Sequence, residues 1–249
     1  MKNSLPTELP VRILGIIPAR GGSKGVPRKN IRLVANRPLI TYTIEAARDS
    51  KLLTHFVTST DDMDIAAIAE KLGSRVLIRP PELAADDTPM LPVVDHVLRV
   101  LEPDMGRYDY VAVLQPTTPL RTAGDIDAAL TLLIGSGADS VVSVYEVGDY
   151  HPARMYRLVE GRLVPYASEP PDRLRQGLPP VYHRNGAIYA CRRALIEEQG
   201  TLIGPDTRPY IMPRERSINI DDELDLAFAD FLLRKKSSGS SLEDHDSHP

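Results

Sequence analysis

At 249 residues the chain can bury one sizeable core, and its formal charge of −4, with both signs mixed throughout, excludes the broadly basic surface of a general nucleic-acid binder. A lone cysteine, Cys191, excludes an internal disulfide and a cysteine-based zinc site, so a reducing, cytoplasmic setting is expected. No apolar run approaches the ~18 residues of a membrane-spanning helix.

Residues 1–10, interrupted by Pro6, Glu8 and Pro10, read as a flexible arm rather than a secretory signal. Residues 11–17 are apolar and predict a buried strand. Residues 38–48 predict a helix with Leu39, Ile40, Tyr42, Thr43, Ala46 and Ala47 on one face. A strand over 55–60 follows, then a helix reaching Leu72 that Asp61 or Asp62 can cap, and a strand over 75–78. A proline-rich loop, 79–90, leads to a helix over 92–101, a strand over 110–114, a helix over 125–134 and a strand over 140–147. Strands and helices taking turns in this way predict an α/β fold with a Rossmann-like, doubly wound, mostly parallel sheet. The rhythm breaks at 151–180. Residues 154–167 alternate like a hairpin around Glu160-Gly161, and 168–180 are rich in proline and charge, so this stretch predicts an excursion that covers a site or grips a partner subunit. A strand over 181–191 and a helix over 223–234 complete a domain at 11–235. The polar tail, 236–249, is expected to be disordered, with His245 and His248 solvated rather than ligating.

The first strand runs into IIPARGGSKGVPRKN, with three glycines, two prolines and four basic residues. It fits neither the G-x-x-x-x-G-K-[ST] of a P-loop nor the G-x-G-x-x-G of a dinucleotide turn. The physics those motifs exploit is nevertheless present. Glycines let successive backbone N–H groups face an anion, while Arg20, Lys24, Arg28 and Lys29 supply opposite charge, a description that suits a triphosphate.

The run PARGGSKGVPRKN resembles the nucleotide-binding signature of the acylneuraminate cytidylyltransferases, which activate sialic and related nonulosonic acids as CMP-sugars. TSTDDMDIAAIAEKLG from Thr58, RPPELAADDTP from Arg79, LQPTTPLR from Leu114 and HRNGAIYA from His183 agree with that family in content and order. The resemblance implies a nucleotide-diphospho-sugar transferase type of fold, a homodimer in which the excursion reaches the neighbouring site, and CTP and a nonulosonic acid as partners, with neither nucleic acid nor membrane involved. It implies that Arg20, Gly22, Ser23, Lys24, Lys29 and Asn30 hold the nucleotide's phosphates and ribose, with Arg20, Lys24 and Lys29 supporting departure of pyrophosphate. Arg79 and the stretch from Ala85 to Thr88 then form the loop around the cytosine, whose backbone groups read the base edge, and Gln115, Asn185 and Tyr189 contact the acceptor sugar.

The same resemblance implies Mg2+ (or Mn2+) bound near an I-D-I-D segment. This chain reads INIDDELDL there: Asn219 stands where the first aspartate is expected and Asp221 matches the second, while Asp222 and Asp225 are either compensating ligands or first-turn helix acids. Three alternatives stay open. A sugar 1-phosphate or Kdo could be the acceptor, with Arg121 or Arg184 as a second cationic patch for a phosphate. The D-x-D of Asp62 and Asp64 could hold a metal in a glycosyltransferase. A catalytically weak nucleotide-binding regulator could keep the cradle and lose the metal site.

Overall fold

The computed structural model describes residues 11–167 and 177–238, so the arm, most of 168–180 and the last residues of the tail lie outside it. A seven-stranded sheet forms the centre. The apolar run after residue 12 is β1, Ile13–Pro18, with five of its six residues buried, as a strand covered on both faces must be. On one side it pairs in parallel with β4, His55–Thr60, which pairs in parallel with β5, Arg75–Ile78. On the other side lies parallel β6, Tyr110–Val113. Beyond β6 come β10, Tyr182–Arg192, which runs antiparallel to both its neighbours, then β7, Ser140–Glu146, and the edge strand β11, Thr207–Ile211, parallel to β7. The order β11-β7-β10-β6-β1-β4-β5 is the expected mostly parallel sheet with one strand reversed.

Alternation along β1 divides the core. Ile13 and Ile17 join a cluster with α1, Leu39–Arg48, α2, Met63–Lys71, and α4, Ala123–Ser136. Leu14 and Ile16 face α3, Met90–Met105, and α5, Arg193–Gln199. A third cluster packs α6, Glu223–Ser237, through Leu226, Ala229 and Leu233 against Val26, Leu39 and Ile220, beside the small ladder of β2, Leu33–Val34, and β3, Arg37–Pro38. The excursion contains the expected hairpin: β8, Tyr156–Val159, pairs with β9, Arg162–Pro165, across Glu160 and Gly161, whose φ of 49° and 77° suit the tight turn that follows strand twist.

Several bounds differ from the sequence reading. α3 extends to 90–105 because Pro92 falls in its first turn, where proline costs no hydrogen bond. α4 begins at Ala123 because Thr122 and Asp125 form a capping box. α6 continues to Ser237, so the tail begins two residues later than expected. Asp62, rather than Asp61, caps α2. The β2–β3 ladder, α5 and β11 were not predicted, being short or, for β11, interrupted by Pro209.

Candidate active site

The chain leaves β1 towards β4 and β5, then returns to the opposite side of β1 at β6, which makes the carboxyl ends of β1 and β6 a topological switch point. Crevices for ligands form there because the loops from the two strands diverge. A cleft of about 310 Å3 lies at this place, lined by the turn after β1, the loop after β5, the loop after β6 and the segment before α6. Arg20, Gly22, Ser23, Lys29, Asn30, Arg79, Ala85, Thr88, Gln115, Asn219 and Asp221 all line it, so most of the residues predicted for the site converge.

Backbone contacts fix the glycine-rich turn. The Ala19 N–H donates to the Ser59 carbonyl at 2.9 Å, and the Gly21 N–H donates to Asp61 Oδ1 at 3.0 Å. Asn30 is buried, and its Nδ2 donates to the Arg20 carbonyl at 2.9 Å, pinning the far end of the turn to its start. Arg20 projects into the cleft. Lys24 stays at the rim with its side chain 83 % exposed, outside the lining, and pairs with Asp86 at 2.9 Å. Arg28 does not join the cradle. It turns to Asp62 and Asp64, at 3.1 and 2.8 Å, and Asp62 also accepts the Asp64 and Ile65 N–H groups as a helix cap. Both carboxylates of the D-x-D are thereby engaged, which argues against a metal there.

Lys29 is a partly buried cation of the site, its side chain 12 % exposed. Its Nζ donates to the Ile220 carbonyl and lies 3.7 Å from Asp221 Oδ1. Burial pushes its pKa down from the ordinary lysine value, while Asp221 pulls it back up. Arg79 lies at the cleft wall but is almost fully buried. It donates to the carbonyls of Ser59, at 2.5 Å, and Leu83, at 3.2 Å, and burial lowers its pKa to about 10. It braces the fold of the 79–84 loop at the cleft wall, so its side chain serves this loop's backbone.

At the opposite wall Gln115 approaches Gly186 so closely that a Cβ there would lie 2.8 Å from Gln115 Oε1 and 3.4 Å from Asn219 Oδ1. Gly186 has φ +76°, so both its conformation and its surroundings require glycine. Asn185 and Tyr189 do not line the cleft. Asn185 is buried; its Oδ1 accepts from Ser143 Oγ and the Ala187 N–H, and its Nδ2 donates to Ser217 Oγ. Tyr189 lies opposite Val113 on β6, packed against the α3 side of the core. The expected sugar contacts of these two residues are replaced by structural ones. Arg121 is likewise buried, its Nη1 donating to the carbonyls of Gln115, at 3.1 Å, and Ala187, at 2.8 Å, with its pKa lowered to about 9 by desolvation. It cannot serve as a surface patch for a second phosphate.

Before α6, Asp222 caps the helix and forms a capping box with Asp225, which removes both from the set of free carboxylates. Asn219 Nδ2 donates to Asp221 Oδ2 at 2.6 Å, whereas Asn219 Oδ1 is buried without a partner. Among the described residues no group of three or more His, Cys, Asp or Glu side chains is placed to hold an ion. One carboxylate and one orphaned amide oxygen fit a cation that takes its remaining ligands from phosphates and water, as magnesium commonly does. Two residues have roles that the sequence reading did not give them, Asp61 having been read only as a possible helix cap and Asp86 only as part of the Ala85 to Thr88 stretch. Asp61 aligns the turn, and Asp86, inside the quoted RPPELAADDTP, pairs with Arg20 at 2.7 Å. The concentration of cations in the turn was the available signal, since a nearby acid is drawn to such a cluster.

Among the described residues no helix is long and apolar enough to cross a membrane. A family model described as cytidylyltransferase matches residues 14–161. The chain is 33 % identical over 227 residues to post-translational flagellin modification protein B of Campylobacter coli, covering 90 % of this chain and 96 % of that one. It is 34 % identical over 232 residues to the CMP-N,N'-diacetyllegionaminic acid synthase of Campylobacter jejuni subsp. jejuni, covering 90 % and 96 %. It is 32 % identical over 228 residues to the N-acylneuraminate cytidylyltransferase of Escherichia coli, covering 91 % of this chain and 53 % of that longer protein. Among solved structures, CMP:2-keto-3-deoxy-manno-octonic acid synthetase complexed with CTP superposes with a TM-score of 0.69 at 16 % identity, covering 90 % and 99 %, a likeness of fold.

Proposed function

Because the chain belongs to the cytidylyltransferase family, we propose that it transfers CMP from CTP to the anomeric hydroxyl of a nonulosonic acid, with release of pyrophosphate. The observation that carries this reading is the convergence of the glycine-rich turn, Lys29 and the Asn219-Asp221 segment on one cleft at the switch point of the sheet. In the reaction the acceptor oxygen bonds to the α-phosphorus, the bond to the bridging oxygen breaks, and that oxygen leaves with the two terminal phosphates. The hydroxyl proton passes to solvent or to a base. The protein has little covalent chemistry to do. Its contribution is alignment and preplaced positive charge, which act most strongly where water is scarce.

In this reading the turn amides, Arg20 and Lys24 hold the terminal phosphates. Lys29, fixed by the Ile220 carbonyl, meets the charge that develops as pyrophosphate departs. The stretch from Ala85 to Thr88 borders the base, and Gln115 faces the acceptor. Asp221 and Asn219 Oδ1 would hold Mg2+ (or Mn2+), which when bound neutralises phosphate charge. The exposed apolar side chains of the hairpin, Leu158 at 75 % and Leu163 at 68 %, support a homodimer formed through the excursion. Relatives named for neuraminate and for diacetyllegionaminate support a nine-carbon acid over Kdo. A cytoplasmic site of action completes the proposal.

The test is pyrophosphate release from CTP and Mg2+ in the presence of neuraminic, legionaminic and pseudaminic acids in turn. Release with one of them, together with a CMP-sugar of the right mass, is expected. Normal CTP binding with no release across the panel would replace this reading with a nucleotide-binding regulator.

A further inference from the structure

Asp86 lies in the loop between β5 and α3, and its two oxygens bridge the two cations that the terminal phosphates would need. Oδ1 is 2.7 Å from Arg20 Nη2 and Oδ2 is 2.9 Å from Lys24 Nζ. Arg20 also donates through Nη1 to the Ala85 carbonyl at 2.9 Å, so this loop closes over the guanidinium with backbone and side chain together. Among the described residues these two cations are the only partners of the Asp86 carboxylate. It differs in this from Asp62, which also caps a helix, and from Asp61, which accepts a backbone N–H. A carboxylate spread over two cations at the wall of an anion cleft presents what one face of a phosphate presents. Phosphate and Asp86 compete for Arg20 and Lys24, because like charges held at close range on the same cations repel.

Resting on the nucleotide reading above, we propose that Asp86 is a built-in displacing anion: it neutralises Arg20 and Lys24 in the empty cradle, yields them to the terminal phosphates of the nucleotide, and competes for them again so that pyrophosphate leaves. The contact lowers the affinity for nucleotide and pyrophosphate alike and keeps the product from holding the cradle after transfer. The loop carrying Asp86 moves with each turnover, because the two ion pairs break when phosphates enter and re-form when they depart.

Calorimetry with inorganic pyrophosphate, together with product inhibition against CTP, tests this. Asp86→Asn removes the charge and keeps the shape. It should tighten pyrophosphate binding roughly 3- to 10-fold, the scale of two partly exposed ion pairs, and slow pyrophosphate release by a similar factor. Asp86→Glu should stay near the wild type, and Asp86→Ser should follow Asp86→Asn if the latter is unstable. In a Lys24→Met background the gain from Asp86→Asn should shrink, because the two residues share one interaction. Unchanged or weaker pyrophosphate binding in a folded Asp86→Asn protein overturns the proposal. A wild-type protein that binds neither CTP nor pyrophosphate would instead remove the nucleotide reading beneath it.

Discussion

Gly25 is where the cradle and the segment before α6 touch, and adding one methyl group there tests whether they act as a unit. A Cβ on Gly25 would lie 2.0 Å from the Asp221 carbonyl oxygen and 3.2 Å from its carbon. The obstacle is backbone, so no rotamer relieves it, and the two segments must part by about 1 Å to restore even a tight 3.0 Å contact. That movement carries Lys29 away from the Ile220 carbonyl and from Asp221, the contacts that fix its ammonium. Overpacking of this kind costs ~1–3 kcal/mol, which lowers Tm by roughly 2–12 °C for a domain of this size. A reacting geometry displaced by about 1 Å loses turnover on the order of 10²-fold. Gly22 provides the contrast, since its Cβ would meet nothing within 4 Å, and Gly22→Ala should keep the wild-type Tm. Calorimetric melting and CTP titration of both variants decide the matter. A Gly25→Ala protein with wild-type Tm and CTP affinity would refute the claim that the turn and the Asn219-Asp221 segment interlock.

Asn219→Asp replaces the amide that donates to Asp221 with a second carboxylate, so Tm should fall without Mg2+ and recover on its addition, with metal affinity raised; a loss that Mg2+ does not reverse counts against a metal at this pair. Asp222→Ala removes a helix cap and should cost about 1 kcal/mol of stability while leaving the Mg2+ dependence of turnover unchanged, and a shifted Mg2+ requirement would return Asp222 to the ligands. The lowered pKa of Lys29 has opposite consequences for rate and stability. Between its folded value and 10.5 the unfolded chain holds a proton that the folded chain has lost, so this group's contribution to stability rises with pH there while the useful charge disappears. Lys29→Met should therefore abolish that rising component in melts against pH and lower turnover by about 10²-fold or more, and an unchanged difference between the two proteins across alkaline pH would contradict it.

The cradle was legible because its signal is compositional and local: glycine, proline and lysine or arginine crowd into one turn directly after an apolar run. The order of strand and helix was legible for the same reason, since each element carries its own period. What escaped depends on contacts distant in sequence. β11 is an edge strand whose pairing with β7 spans more than sixty residues, roughly, and its Pro209 weakens the local pattern. On β10 the pairing register shifts between Arg184 and Tyr189, where Gly186 sits at positive φ. Alternation counted through that irregularity cannot assign Asn185 or Tyr189 to the cleft or to the core, and the resemblance of HRNGAIYA, from which sugar contacts were expected for both, carries no register of its own. Arginine is seldom buried, and the sequence placed Arg79 only in the loop around the base and Arg121 only among the candidates for a second phosphate patch. Both turned out to serve backbone carbonyls, an arrangement that residue type and spacing do not distinguish from anion binding.

One of these buried arginines, Arg121, stiffens one half of the site. Arg121 joins the carbonyl of Gln115, after β6, to that of Ala187, on β10, and so ties together the two loops that bring Gln115 beside Gly186 and Asn219. Even with its pKa lowered to about 9 it remains charged at neutral pH, so a buried cation lies beneath this wall, held by carbonyl dipoles and supported by the charge of Asp125. Lys29, on the same wall, is held by another carbonyl. Facing them are Arg20, Lys24 and Asp86, all at least partly exposed and joined mainly to one another. Side chains fixed by carbonyls keep their places when a ligand arrives, whereas exposed ion pairs exchange partners at little cost. On the proposed reading the acceptor and the leaving oxygen meet a preformed wall, and the terminal phosphates meet a responsive one. Transfer requires that division, since alignment must persist through the reaction while the grip on pyrophosphate must end with it.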